Sequence, residues 1–176
     1  NLAAGNIPGS GVVTTSPDSC TDGADTVTGS AKDEYFDLKN GDDTLYAGAG
    51  DDIVVGGGGS DAVYGGSGQD QVKGDGGNDS IDGGDGDDTA VYAGSSSDYG
   101  VIYDGVSASY TVIDNTVAVD EGTDTLKNVE YAKFSNGLFM LGTGGLTPIT
   151  GPGPAPTNTA GLVIEDIAVP QPGPGE

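Results

Sequence analysis

An all-β architecture, a parallel β-roll followed by a β-rich carboxyl-terminal cap, is what this sequence predicts, and two strict periodicities predict it. Between Cys20 and Val91 a nine-residue unit repeats eight times without insertion or deletion. Its eighth place carries Val27, Phe36, Leu45, Val54, Val63, Val72, Ile81 and Ala90; its sixth carries Asp25, Glu34, Asp43, Asp52, Asp61, Asp70, Asp79 and Asp88. The fourth place is glycine in every unit except the second, where Lys32 stands.

The unit dictates its own geometry. Six residues rich in glycine and aspartate must turn, and three centred on an apolar residue can extend, as in Gly56-Gly57-Gly58-Gly59-Ser60-Asp61 followed by Ala62-Val63-Tyr64. Glycine accepts the positive φ and close backbone approach of a tight turn. The short strand buries its middle side chain and exposes the neighbours, by the alternation of a pleated strand. Two units then make one coil, so that each unit stacks on the next but one at about 4.8 Å. A flexible Gly/Asp linker has no reason to hold an apolar residue at every ninth place. An EF-hand at Asp75 to Asp88 fails for want of flanking helix formers, and collagen fails because glycine is not at every third place.

Composition narrows the partners. The 176 residues include 34 glycines, no histidine and no tryptophan, and 28 acidic residues face 5 lysines for a net charge of -23. Of the 28 acids, 17 lie between residues 20 and 91, so the self-repulsion is concentrated in the repeat and a cation must balance it there. Nucleic acid and anionic membrane require basic patches that this chain lacks. No apolar run reaches the roughly 18 residues of a membrane-spanning helix. Cys20, alone, forms no internal disulfide and reads as a small residue in the first turn. Residues 1–11 lack a basic start and an apolar run, so no signal peptide is visible, which fits a mature fragment or an export route read elsewhere in the chain.

The unit resembles the RTX nonapeptide, Gly-Gly-x-Gly-x-Asp-x-apolar-x, over residues 20–91 and most closely from Ala47 to Val91. In the first three units Thr21 and Ser30 replace the second glycine, Lys32 the fourth, Glu34 the aspartate, and Leu38-Lys39 the opening pair, which sets the amino-terminal sites apart. The resemblance implies a calcium-binding parallel β-roll with each ion between two stacked turns. The ligands it implies are the carboxylates of Asp25, Asp43, Asp52, Asp61, Asp70, Asp79 and Asp88. Turn oxygens at Gly48, Gly50, Gly56, Gly58, Gly59, Gly65, Ser67, Gly68, Gly74, Gly76, Gly77, Gly84 and Gly86 complete them. Calcium takes six to eight oxygens, and a glycine turn ending in aspartate supplies carbonyls and a carboxylate together. Two columns of four turns leave about six gaps, of which about four are expected to be well formed, so that Ca2+ is the cofactor at about four to six ions.

The remaining segments follow from turn chemistry and alternation. Residues 1–19 read as a linker in which Val12-Val13 can lie against the first turn. Residues 92–142 read as a cap with strands at Gly100–Tyr103, Ser109–Ile113, Thr116–Val119, Val129–Phe134 and Leu138–Leu141, and a tight hairpin at Asn136-Gly137. Such a lid covers the apolar end and open strand edges of the last coil. Ser97-Asp98-Tyr99 and Gly122 to Glu130 resemble the segment that follows RTX arrays. Tyr92, Tyr99, Tyr110, Tyr131, Phe134 and Phe139 are the expected cap core. Residues 143–161 read as a Pro/Gly-rich spacer and 162–176 as a tail holding one strand-like segment at 162–169, which folds back, opens a further domain or adds to a neighbour's sheet.

Catalysis finds no support in these residues: with no histidine and one cysteine, the common nucleophile and base pairs cannot be assembled. The expected function is a secreted calcium-binding structural module, part of a surface layer, filament or adhesin. The alternative is the folding and secretion module of a larger exported enzyme. The resemblance implies type I secretion, with folding deferred until external calcium is met.

Overall fold

The computed structural model of the protein describes residues 13–14, 20–116 and 121–149. The repeat supplies β2 (Thr26–Thr28), β3 (Tyr35–Asp37), β4 (Thr44–Ala49), β5 (Ile53–Gly58), β6 (Ala62–Ser67), β7 (Gln71–Gly76), β8 (Ser80–Asp85) and β9 (Thr89–Val91). They alternate between two parallel columns, β2-β4-β6-β8 and β3-β5-β7-β9, so the coil holds two units and the stacking step is 18 residues. The register aligns Val27, Leu45, Val63 and Ile81 in one column and Phe36, Val54, Val72 and Ala90 in the other. All eight are buried and form one continuous core, which is what an apolar residue every ninth place requires. Ahead of the repeat, β1 (Val13–Thr14) pairs in parallel with β2.

The strands of the middle units are longer than the three residues expected. From β4 to β8 each runs six residues and includes the opening Gly-Gly-x of the following turn, with pairs such as Gly48↔Gly66 and Gly58↔Gly76. The cause is the second glycine. Gly66 has φ 113° and a Cβ there would lie 1.9 Å from the Gly48 carbonyl oxygen, so only bare backbone can stack at strand spacing. Where Thr21 and Ser30 replace that glycine, no six-residue strand forms, and β2 and β3 stop after three residues.

The cap extends both columns. It consists of β10 (Tyr99–Asp104), β11 (Ser109–Asp114), β12 (Thr123–Lys127), β13 (Tyr131–Phe134), β14 (Gly137–Gly142) and β15 (Gly145–Pro148). β12 lies parallel to β8 with Leu126 opposite Ile81, and β13 lies parallel to β9 with Ala132 opposite Ala90. The sheets end as β12-β11-β10 and β13-β14-β15, each by antiparallel hairpins. The Asn136-Gly137 hairpin forms between β13 and β14 as expected.

Several cap expectations need correction. The fourth strand of the cap is Thr123–Lys127; of the expected Thr116–Val119, residues 117–119 lie outside the described residues. Val129 and Glu130 belong to the turn before β13 because the chain must cross there from one sheet to the other. Gly145–Pro148, read as spacer, is a strand, because Leu146 pairs with Leu141 and packs on the core. Tyr92, Tyr99 and Phe134 are buried with Tyr110 and Phe139 against them, whereas Tyr131 does not join the core. The tail at 162–176 lies outside the described residues.

Leu126, fully buried, bridges roll and cap. Leu126→Ala should cost about 2–5 kcal/mol, read as a lowered urea midpoint at saturating calcium. A change below about 0.5 kcal/mol would show that the cap does not share the roll's core.

Candidate metal centre

The acidic residue ending each turn is drawn inward. Asp25, Asp43, Asp52, Asp61, Asp70, Asp79 and Asp88 are all at most 4% exposed. One carboxylate oxygen of each is spoken for by the coil before it. The Asp25 N–H donates to Asp43 Oδ1 at 2.7 Å, Asp43 to Asp61 at 2.8 Å and Asp61 to Asp79 at 2.8 Å. In the other column Glu34 donates to Asp52, Asp52 to Asp70 and Asp70 to Asp88, each at 2.8 Å.

The second oxygen is where metal chemistry enters. Oδ2 of Asp43, Asp52, Asp61, Asp70, Asp79 and Asp88 is buried without a hydrogen-bond donor. An anionic oxygen withdrawn from water and left unmatched is costly. Around it the backbone supplies further oxygen. A Cβ placed on Gly56 would lie 2.6 Å from Asp61 Oδ2 and 2.6 Å from the Gly74 carbonyl oxygen; one on Gly65 would lie 2.3 Å from Asp70 Oδ2 and 2.6 Å from the Gly83 carbonyl oxygen. Those separations match the roughly 2.3–2.6 Å of calcium–oxygen bonds. Among the described residues no three His, Cys, Asp or Glu side chains converge as a metal cluster, so carbonyls must furnish most ligands. That donor set, hard oxygens with few carboxylates, fits calcium and not a soft transition metal.

The other glycines expected at the site have a different task. Gly48 and Gly84 at the second place, and Gly50, Gly59, Gly68, Gly77 and Gly86 at the fourth, hold φ between 104° and 148°. At the third place the carbonyls of Gly58, Ser67 and Gly76 accept from the N–H of Gly41, Gly50 and Gly59. Gly56, Gly65 and Gly74 sit beside the aspartate oxygens.

The first two turns differ, as their departures suggested. Asp25 Oδ2 accepts from the Thr21 N–H at 2.7 Å, and Glu34 Oε2 from the Ser30 N–H at 2.6 Å, so each acid caps its own turn. Cys20 is half-buried and its thiol is pushed up to about 11, first by burial and then by Asp25, which leaves it a protonated packing group.

Residues that the sequence reading did not select complete the ladders. The Asp79 N–H donates to Asp124 Oδ1 at 2.9 Å, the Thr123 N–H to Asn78 Oδ1 at 2.8 Å, and Gly122, at φ 74°, backs onto the Gly77 carbonyl. The signal was present in Gly122-Thr123-Asp124-Thr125-Leu126, which repeats the fourth-to-eighth places of the unit. Glu121, 2% exposed, accepts hydrogen bonds from the Tyr99 hydroxyl and the Ala93 N–H and clasps the cap together.

The RTX calcium-binding nonapeptide repeat model matches four times, over residues 28–63, 37–72, 55–90 and 64–99. Residues 28–99 are RTX calcium-binding repeats. No curated protein matches the chain. The RTX repeat binds calcium as a structural module of a kind typical of secreted proteins, and the bare aspartate oxygens are its local expression here.

Burial pushes Asp52, Asp61, Asp70 and Asp88 up to about 7 and Asp43 to about 6, against the pull of the N–H each accepts. These values lie above the roughly 3.9 of an unfolded aspartate, so protonation favours the metal-free roll: the benefit is complete below about pH 4 and lost as pH rises through about 7. In excess chelator the β signal in circular dichroism should therefore be stronger near about pH 4.5 than near about pH 8. The opposite order would show that these acids are not buried in the metal-free chain.

Proposed function

We propose that the protein is a secreted, calcium-triggered structural module whose roll closes when ions enter the gaps between stacked turns. The observation that carries this reading is the row of buried, donorless Oδ2 atoms, placed next to turn carbonyls at Asp61 and Asp70. Calcium supplies the positive charge and demands several oxygens; the chain's residues position them and exclude water. Glycine at the first place leaves room, so the Asp61 and Asp70 turns bind most tightly. Leu38 and Ala47, fully buried at that place, make the Asp43 and Asp52 turns weaker. The total is about four to six ions.

At low calcium, as in a cytosol, the chain of charge -23 stays extended, and millimolar external calcium converts binding energy into folding energy. A role in a surface layer, filament or adhesin is supported by the sheet ends. Among the described residues β10 and β15 are edge strands, each with one hydrogen-bonded neighbour. Residues 162–169 provide a strand that can add to such an edge in another copy. Light scattering with and without calcium, on the full chain and on a chain lacking residues 160–176, tests this. Calcium-dependent oligomers that vanish with the tail are expected. A full chain that folds with calcium but stays monomeric at high concentration would instead favour the folding module of a larger exported enzyme.

A further inference from the structure

We propose that the junction between roll and cap holds a divalent-cation site of its own, made by the Asp88 carboxylate of the last roll turn and, from the cap, the Asn128 carbonyl and the Glu130 carboxylate. The inference rests on the calcium reading of the roll and extends it beyond the repeat, to residues outside the 28–99 match.

Three observations carry it. Asp88 is 1% exposed and its Oδ2 has no donor, although the chain continues past it into a covered junction. A Cβ placed on Gly83 would lie 2.5 Å from Asp88 Oδ2 and 2.3 Å from the Asn128 carbonyl oxygen. That is the same pair of oxygens found at Gly56 and Gly65, with a cap residue now in the role of the next coil's first place. Finally, the Asp88 N–H donates to Glu130 Oε2 at 2.9 Å, so Glu130 stands where the sixth-place aspartate of a further coil would stand.

The cap is shaped to present these groups. Asn128 has φ 49°, a left-handed turn, and its Nδ2 donates to Asp82 Oδ1 at 2.7 Å, which pins the residue from outside the sheet. Lys127 Nζ reaches the other Asp82 oxygen at 3.2 Å. The N–H of Tyr131 then donates to the Asp88 carbonyl at 3.0 Å, locking β13 onto the roll. Only Val129 separates Asn128 from Glu130, whereas four residues separate Gly83 from Asp88. The turn is abbreviated, and a nonapeptide search passes over it. A cation here ties cap to roll through charge as well as through the core.

The test is ion stoichiometry by native mass spectrometry of the full chain in calcium, alongside amide NMR of residues 123–134. Wild type, Glu130→Gln and Gly83→Ala are compared. Both variants should carry one ion fewer, or fill the last ion with about tenfold weaker affinity, and should show calcium-dependent shifts confined to the junction. Glu130→Gln replaces a part-exposed side chain and keeps the protein folded if Gly83→Ala does not. Unchanged stoichiometry and affinity in Glu130→Gln, with wild type binding calcium, would overturn the junction site and leave the roll's sites standing. Wild type binding no calcium at all would instead overturn the reading on which the proposal rests.

Discussion

Adding excess chelator to the calcium-loaded protein at neutral pH should abolish its β signal and expand the chain. With six donorless carboxylate oxygens stacked in two columns, the metal-free roll must hold anions a few ångströms apart in a buried setting. The chain has five lysines for 28 acids. Among the described residues the lysine ion pairs, with Asp37, Asp75 and Asp82, lie outside the aspartate columns and cannot neutralise them. Circular dichroism and size-exclusion chromatography should show one cooperative transition on adding calcium back, with a midpoint that rises as pH falls, because the ions displace protons from Asp52, Asp61, Asp70 and Asp88. A compact β form that survives chelator at neutral pH would contradict this.

Two adjacent glycines should fail in different ways, and the contrast separates metal binding from backbone stacking. Gly65 lies beside Asp70 Oδ2, and a Cβ there would sit 2.3 Å from it; Gly66 holds φ 113°, and its Cβ would strike the Gly48 carbonyl oxygen at 1.9 Å. Gly65→Ala should keep the β signal at high calcium while losing one ion, or raising the calcium midpoint about tenfold. Gly66→Ala should break the stack at that coil and cost about 2–5 kcal/mol whatever the calcium concentration. Calcium titrations of both variants, followed by urea unfolding at saturating calcium, distinguish the outcomes. Equal effects on ion count and stability would mean that the first glycine has only a packing role.

The roll was legible in the sequence because its determinants are local and periodic. Val63 and Ile81 stand 18 residues apart and meet, and the aspartates at the sixth place could be assigned to columns from spacing alone. The added length of the strands was not legible, since it depends on how bare the neighbouring coil is: Gly48 must face Gly66 before the ladder can continue. The cap was harder. Asp124 follows Asp79 in the hydrogen-bond ladder at a separation of 45 residues, and Glu130 follows Asp88 at 42, so neither falls on the period. The hairpin β10-β11 is inserted between, and β12 and β13 then resume the two columns as though the roll had not stopped. Gly122-Thr123-Asp124 carries the unit's chemistry in plain sight, yet without its partner turn it reads as a loop. The inequality among the turns was only half visible. The Thr21 and Ser30 substitutions announced weak sites, but that their N–H groups would take up the second oxygen of Asp25 and Glu34 is a matter of three-dimensional reach.

The most direct test of calcium as the element that holds this fold together is anomalous X-ray scattering from crystals grown in calcium. Peaks are expected between successive turns, within about 2.6 Å of Asp61 Oδ2 and the Gly74 carbonyl and of Asp70 Oδ2 and the Gly83 carbonyl. An intact roll with those gaps free of anomalous density would contradict it.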